Sequence, residues 1–334
     1  MDKIVNAYAV KKAGAKLEPF SYKAKELGSL DIEIKITHCG ICHSDIHLIN
    51  GDWGDYFPIV PGHEIIGNVS ALGKNVKNLK IGERVGVGWQ AGSCMKCEYC
   101  LRGDENLCPE DKATCQGNHG GYADSIRVDS RFAFSIPEKL KSENAAPLMC
   151  GGITVYSPIF RYARPGMKVG IIGIGGLGHL AVQFAKAIGC EVTAFSTSAD
   201  KEQEAKKLGA DKFVLSSNPE QMKKVEDTLD FILSTVNVTV DYAQYFKILR
   251  KNGNYCQVGV LSKPFEIPPS QIVVNQKSLT GSIIGNCKMI REMLDFCAKH
   301  NISAKIQAMP MSEVNEGIEK VKKNKARYRI VLEN

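Results

Sequence analysis

No apolar stretch of this 334-residue chain reaches the roughly 18 residues that a membrane-spanning helix needs. The opening Met1-Asp2-Lys3-Ile4 lacks the apolar core of a secretory leader, so secretion is not expected. Internal repeats and low-complexity linkers are also missing, which removes solenoids and tethered arrays from consideration. Nothing marks an oxidising compartment, so the 12 cysteines are not expected to form disulfides. Cytoplasmic residence is the expectation. What is present is an ordinary soluble composition, 44% hydrophobic and 24% charged, on a chain long enough for two domains with separate cores.

The formal charge of +7 could suggest nucleic acid, most of all through Lys322-Lys323-Asn324-Lys325-Ala326-Arg327-Tyr328-Arg329. Lysines and glutamates alternate over most of the chain, however, and one short basic run reads as a solvated helix and its exit. Neither nucleic acid nor a membrane is an expected partner.

Cys94, Cys97, Cys100 and Cys108 stand in a C-x2-C-x2-C-x7-C run. Four thiolates this close can complete a tetrahedral zinc shell with no position left for a substrate. The spacing of bacterial iron–sulfur ligands, C-x2-C-x2-C-x3-C-P, is absent. A structural zinc in a lobe at about 90–110 is the expectation.

The first third reads as short strands separated by Gly, Pro and Asp turns, with no sustained helical period before about Ser142. Asp31 to Thr37 alternates, placing Ile32, Ile34 and Ile36 on one face; Ile65 to Val69 and Arg84 to Val87 are similar. After that the texture changes. Strand-like runs at Lys168–Ile174, Glu191–Ser196, Lys212–Ser216, Leu229–Thr235, Asn254–Val260 and Ser278–Ile283 alternate with helical stretches such as Ala199–Leu208. This predicts an α/β doubly wound parallel sheet. A helix over Ile290–His300 with short strands then returns to the first domain.

Gly173-Ile174-Gly175-Gly176-Leu177-Gly178 follows a strand and opens a helix, the context a dinucleotide fingerprint requires. The glycines permit a tight turn, close approach of a pyrophosphate and close helix–strand packing, while the helix N-terminus offers N–H donors. The acidic residue that accepts from the ribose 2′-hydroxyl in NAD sites is missing where it would stand. Ser196-Thr197-Ser198 occupy that place and Lys201 follows, groups that receive a 2′-phosphate. This favours NADP(H), although Asp200 is close by and Ser198 could also cap the helix beginning at Ala199.

Three scattered segments complete the chemistry: Cys42-His43-Ser44-Asp45-Ile46-His47, Gly62-His63-Glu64, and Cys150 in Leu148-Met149-Cys150-Gly151-Gly152. Two cysteines and a histidine leave a fourth zinc position open. With these residues the chain resembles the zinc-dependent medium-chain alcohol dehydrogenases, and within them the NADP-dependent cinnamyl-alcohol-dehydrogenase group. The likeness is carried by Cys-Gly-Ile-Cys-His-Ser-Asp (39–45), Pro-Gly-His-Glu (61–64), the four-cysteine lobe, Cys-Gly-Gly-Ile-Thr-Val-Tyr-Ser-Pro (150–158) and Gly-Ile-Gly-Gly-Leu-Gly-His (173–179). It runs over essentially the whole chain.

The resemblance implies two zinc ions per chain. Cys42, His63 and Cys150 hold the catalytic one, with Cys39 a bystander. It implies that Glu64 stands beside that metal, that Asp45 orients His63, and that His43 meets the cofactor pyrophosphate. Ser44 and His47 would relay the alcohol proton through the ribose hydroxyls to solvent. Trp53, Tyr56, Trp89 and Ile283 align with the substrate wall. It also implies a GroES-like domain over 1–148 and 286–334, a Rossmann domain over 149–285, and a homodimer. The expected activity is reversible NADPH-dependent reduction of aldehydes to primary alcohols. A zinc polyol dehydrogenase of sorbitol or mannitol type, or a zinc-free quinone reductase on the same fold, are the alternatives.

Overall fold

The computed structural model describes residues 3–261 and 263–334. The chain divides into two compact units, Met1–Ile153 with Gly285–Asn334, and Thr154–Ile284. The resemblance implies a first boundary at 148, whereas this division falls after Ile153 and leaves Cys150 in the same unit as Cys42 and His63.

The first unit is built on a seven-stranded sheet whose central strand is Asp31–Ile41. Ile32, Ile34 and Ile36 are all buried to 1% exposure or less, as the alternation predicts. This strand pairs along its length with Glu64–Leu72. On its other side its first half pairs with Ser125–Asp129 and its last residues with Arg329–Glu333, the end of the chain. Arg84–Val87 and Ala133–Ser135 extend the sheet beyond Glu64–Leu72. The sheet therefore brings the ends of three strands, distant in sequence, to the segments that carry Cys42, His63 and Arg329.

A helix over His43–Asn50 interrupts what reads as an all-strand region. Its eight residues are too few for a hydrophobic period to stand out, and one of its buried positions is the carboxylate Asp45. The turn is fixed instead by its cap, where the Cys42 N–H donates to Asp45 Oδ2 at 2.9 Å. The C-terminal basic run also differs from expectation. The helix Val314–Lys322 has the expected exposed lysines, but Arg329 opens a strand and is 5% exposed.

The second unit holds a six-stranded sheet in the order Lys212–Leu215, Glu191–Ser196, Lys168–Ile172, Leu229–Ser234, Leu249–Gln257, Ser278–Gly281. All neighbours are parallel. The strand order reverses beside Lys168–Ile172, and at such a switch point an open α/β sheet presents its ligand crevice. The helix Gly178–Ala187 follows that strand directly. This is the doubly wound fold the alternation predicts.

Candidate active site

Cys42 is the first residue past the central strand and the extended N-cap of the short helix. His63 stands just before the neighbouring strand, which Glu64 opens, and Cys150 follows the single turn Ala146–Met149. One donor atom from each of Cys42, His63, Glu64 and Cys150 lies within 4.8 Å of all the others. The four residues are buried.

Asp45 organises this cluster. Its Oδ1 accepts from Gly62 N–H and from His63 Nδ1, each at 2.9 Å. Its Oδ2 accepts from Cys42 N–H at 2.9 Å and from the Tyr122 hydroxyl at 3.1 Å. A carboxylate only accepts, so Nδ1 of His63 carries the proton shared with Asp45, and Nε2 faces away from Asp45. Nε2 is buried with no protein partner. A buried imidazole nitrogen with no hydrogen bond made to it, within reach of two thiols, fits a metal ion. A hydrogen bond from Cys150 draws the Cys42 thiol well below its ordinary pKa and raises that of Cys150, so one thiolate is ready for a cation.

Glu64 pairs through Oε1 with Arg329, and both side chains are nearly inaccessible. Burial pushes the Glu64 carboxyl up to about 7 while the guanidinium opposes it. Its Oε2 is buried and unsatisfied beside the donor cluster. Arg329 was not readable as a site residue, because its partner lies 265 positions away in sequence. Cys115 was also missed; it is buried with its sulfur 4.0 Å from His63 Nδ1. Cys39 is buried too, its sulfur 3.7 Å from the carbonyl of Gly40 and outside the donor cluster.

Ser44 Oγ lies 3.7 Å from Cys42 Sγ. His43 is exposed at the start of the helix. His47, in the last turn, places Nδ1 2.7 Å from Asp52 Oδ2 and stacks on Trp53 with centroids 4.9 Å apart. Asp52 follows the helix-ending Gly51 directly, a position from which a carboxylate reaches back one turn. Trp53 meets Trp89 edge-on at 5.7 Å, and Trp89 meets the His63 ring edge-on at 5.0 Å. The structure thus brings Trp53 and Trp89 together beside His63. Tyr56 accepts from Gln116 Nε2 at 2.9 Å. Ile283 belongs to the other unit and is 59% exposed, just beyond the strand Ser278–Gly281.

The four cysteines of the lobe converge as well, with Cys94 and Cys100 sulfurs 3.9 Å apart and those of Cys97 and Cys108 likewise 3.9 Å apart. Backbone N–H groups of Lys96 and Cys97 point at Cys94 and lower its thiol to about 6. Every donor is sulfur and all lie within one short segment, 94–108, which suits a closed tetrahedral site.

In the second unit the glycine-rich turn passes a steric test for a bound dinucleotide. A Cβ on Gly178 would stand 1.8 Å from the Gly173 carbonyl oxygen, so helix and strand pack too closely for any other residue. A Cβ on Gly175 would meet nothing within 4 Å; the fold does not require glycine there, and the open space would let a ligand approach the backbone closely. Gly176 and Leu177 complete the turn, with Leu177 the N-cap of the helix. Ser196 ends the second strand, and its Oγ accepts from Ser198 N–H at 3.1 Å. Ser198 makes no side-chain capping bond to the turn that follows it. Lys201 reaches back and donates to the carbonyl of Ile174 in the glycine turn at 2.8 Å. Thr197 lies between Ser196 and Ser198 and is exposed.

Two family models match: an alcohol dehydrogenase GroES-like domain over residues 28–138, and a zinc-binding dehydrogenase over residues 176–299. An aldehyde reductase of Synechocystis sp. is 41% identical over 98% of this chain and 98% of its own. A cinnamyl alcohol dehydrogenase structure from Sorghum bicolor superposes with a TM-score of 0.95 at 40% identity, covering 99% of this chain and 98% of that one. A cinnamyl alcohol dehydrogenase from Helicobacter pylori, complexed with NADP(H), gives a TM-score of 0.92 at 34% identity, covering 100% and 99%. Relatives of similar identity also carry the name mannitol dehydrogenase.

Proposed function

This chain belongs to the zinc-dependent medium-chain alcohol dehydrogenases, and we propose that it reduces aldehydes to primary alcohols with NADPH, reversibly, at Cys42, His63 and Cys150. The observation that carries the reading is the unsatisfied, buried Nε2 of His63, aimed away from Asp45 and grouped with two thiols. Zinc held by Cys42, His63 and Cys150 supplies a Lewis acid that polarises the substrate oxygen, and NADPH supplies the hydride.

The remaining roles belong to the chain. Asp45 holds the His63 ring in one tautomer and orientation. Ser44, two residues from the ligand Cys42, exchanges the alcohol proton, and His47 passes it to solvent with Asp52 fixing its Nδ1. Trp53 and Trp89 form an apolar wall that excludes water and favours an aromatic or medium-chain aldehyde. Glu64, steadied by Arg329, stands at the donor cluster with one free oxygen. Gly173, Gly175, Gly176, Leu177 and Gly178 receive the pyrophosphate, while Ser196, Thr197, Ser198 and Lys201 receive the 2′-phosphate. The four-cysteine lobe holds a second, structural zinc. A homodimer is part of this reading: Ser278–Gly281 ends the order of its sheet, flanked by exposed Val273, Val274 and Ile283.

Initial rates over aromatic aldehydes, aliphatic aldehydes, mannitol and sorbitol, with NADPH and NADH on protein of measured zinc content, test the proposal. Aldehyde reduction preferring NADPH by about tenfold or more is expected from one charge-assisted phosphate contact. Preference for NADH would overturn the reading of Ser196, Thr197 and Lys201. Polyol oxidation outrunning aromatic alcohols would favour a polyol dehydrogenase. One zinc per chain in a fully active enzyme would favour a zinc-free quinone reductase.

A further inference from the structure

We infer that Tyr122 is a positioning residue for the catalytic metal site, acting through Asp45; the inference rests on the ligand assignment proposed above. Asp45 ties together the two segments that present Cys42 and His63, because it accepts from the backbone N–H of Cys42 and of Gly62 as well as from His63. Its fourth donor is the Tyr122 hydroxyl at 3.1 Å. Both side chains are fully buried, so water does not compete for that bond.

The ring has little freedom to move away. Tyr122 N–H donates to the carbonyl of Pro61 at 2.9 Å, and its own carbonyl accepts from Tyr8 N–H at 2.8 Å. Gly121 N–H donates to the carbonyl of Gly62 at 2.7 Å. These bonds lay the segment 120–122 alongside 60–62, directly before His63. Gly62 has φ +100°, and a Cβ there would stand 2.7 Å from Tyr122 Cδ1 and 2.9 Å from Cys39 Sγ. The ring fills the space a side chain at position 62 would take. Local backbone and ring packing therefore aim the hydroxyl at Oδ2 independently of any metal.

Groups that hydrogen-bond to a metal-bound histidine fix its ring orientation and basicity, and losing one commonly weakens metal binding by about 10–100-fold. Tyr122 stands one bond further out, so the lower end applies. Tyr122→Phe keeps the ring and removes only the hydroxyl.

The test is zinc affinity, measured by chelator competition on the full chain, with a cobalt-substituted sample reporting the ligand field. Tyr122→Phe is expected to weaken one of the two zinc sites by about tenfold, within the range for such groups, to shift the cobalt spectrum, and to leave the four-cysteine zinc unchanged. In an Asp45→Asn background the same substitution is expected to change affinity by less than about twofold, the two effects being one interaction. Unchanged affinity in Tyr122→Phe would overturn the inference. So would equal losses in both backgrounds, or equal weakening of both zinc sites, which is the mark of general loosening. Should Asp45→Asn not fold, an unchanged cobalt spectrum in Tyr122→Phe alone overturns it. If Cys42→Ser retains both zinc ions, the ligand assignment itself is wrong and the inference falls with it, whereas loss of one zinc there with an indifferent Tyr122→Phe defeats the inference alone.

Discussion

The lobe of Cys94, Cys97, Cys100 and Cys108 and the cluster of Cys42, His63 and Cys150 both gather metal donors within 4.8 Å, yet they are built in opposite ways. The lobe draws all its donors from one short segment, all of them sulfur, and its local turns aim backbone N–H groups at Cys94. The other cluster takes mixed donors from segments spread over more than a hundred residues, and depends on Asp45, Tyr122 and a sheet to bring them together. A set complete in itself can hold a loop in shape. Two thiols and an imidazole nitrogen, with a carboxylate oxygen beside them, would leave a zinc ion one position for a reacting molecule.

The contrast breaks most visibly at a ligand. Cys42→Ser is expected to reduce aldehyde turnover by about a thousandfold or more, since the Lewis acid is worth several kcal/mol to the transition state. Metal analysis of that variant should find one zinc where the wild type holds two. Lys201→Ala tests the other unit, with an expected rise of about tenfold in KM for NADPH, one charge-assisted phosphate contact, and little change for NADH. Equal effects on both cofactors would remove Lys201 from the 2′-phosphate reading.

Cys97→Ser sharpens the contrast from the lobe side. It should also lose one zinc, but the folded fraction should keep kcat within about threefold while Tm falls by roughly 10 °C, the cost of a structural metal appearing as stability. Turnover lost in parallel with the metal would mean that the lobe takes part in the chemistry. The smallest effect belongs to Cys39→Ser. Cys39 is buried near the site but outside the donor cluster, so both zinc ions should remain and activity should change by less than about twofold, as for a change outside the named stability and ligand mechanisms. Loss of zinc here would exchange the roles of Cys39 and Cys42.

Much of this architecture was legible in the residues. Ile32, Ile34 and Ile36 announced the central strand because burial on one face writes a period of two. The glycine turn after Lys168–Ile172 marked the switch point of the parallel sheet. Other features were not readable, for identifiable reasons. The helix His43–Asn50 is held by the Asp45 cap and by tertiary packing around a buried carboxylate, neither of which leaves a period in eight residues. Arg329 looked like the tail of a solvated basic run, since its burial depends on Glu64 at the far end of the chain. Tyr122 carried no motif; its meaning appears only when the segment 120–122 is laid beside 60–62.

The central claim is that chemistry resides at the dispersed cluster and not at the lobe. Stepwise removal of zinc by a chelator, with NADPH-dependent aldehyde reduction and site occupancy followed in the same sample, tests it most directly. Activity should disappear in proportion to metal lost from Cys42, His63 and Cys150 while the four-cysteine zinc is still bound. Full turnover with that cluster empty, or activity that tracks the lobe alone, would contradict the account.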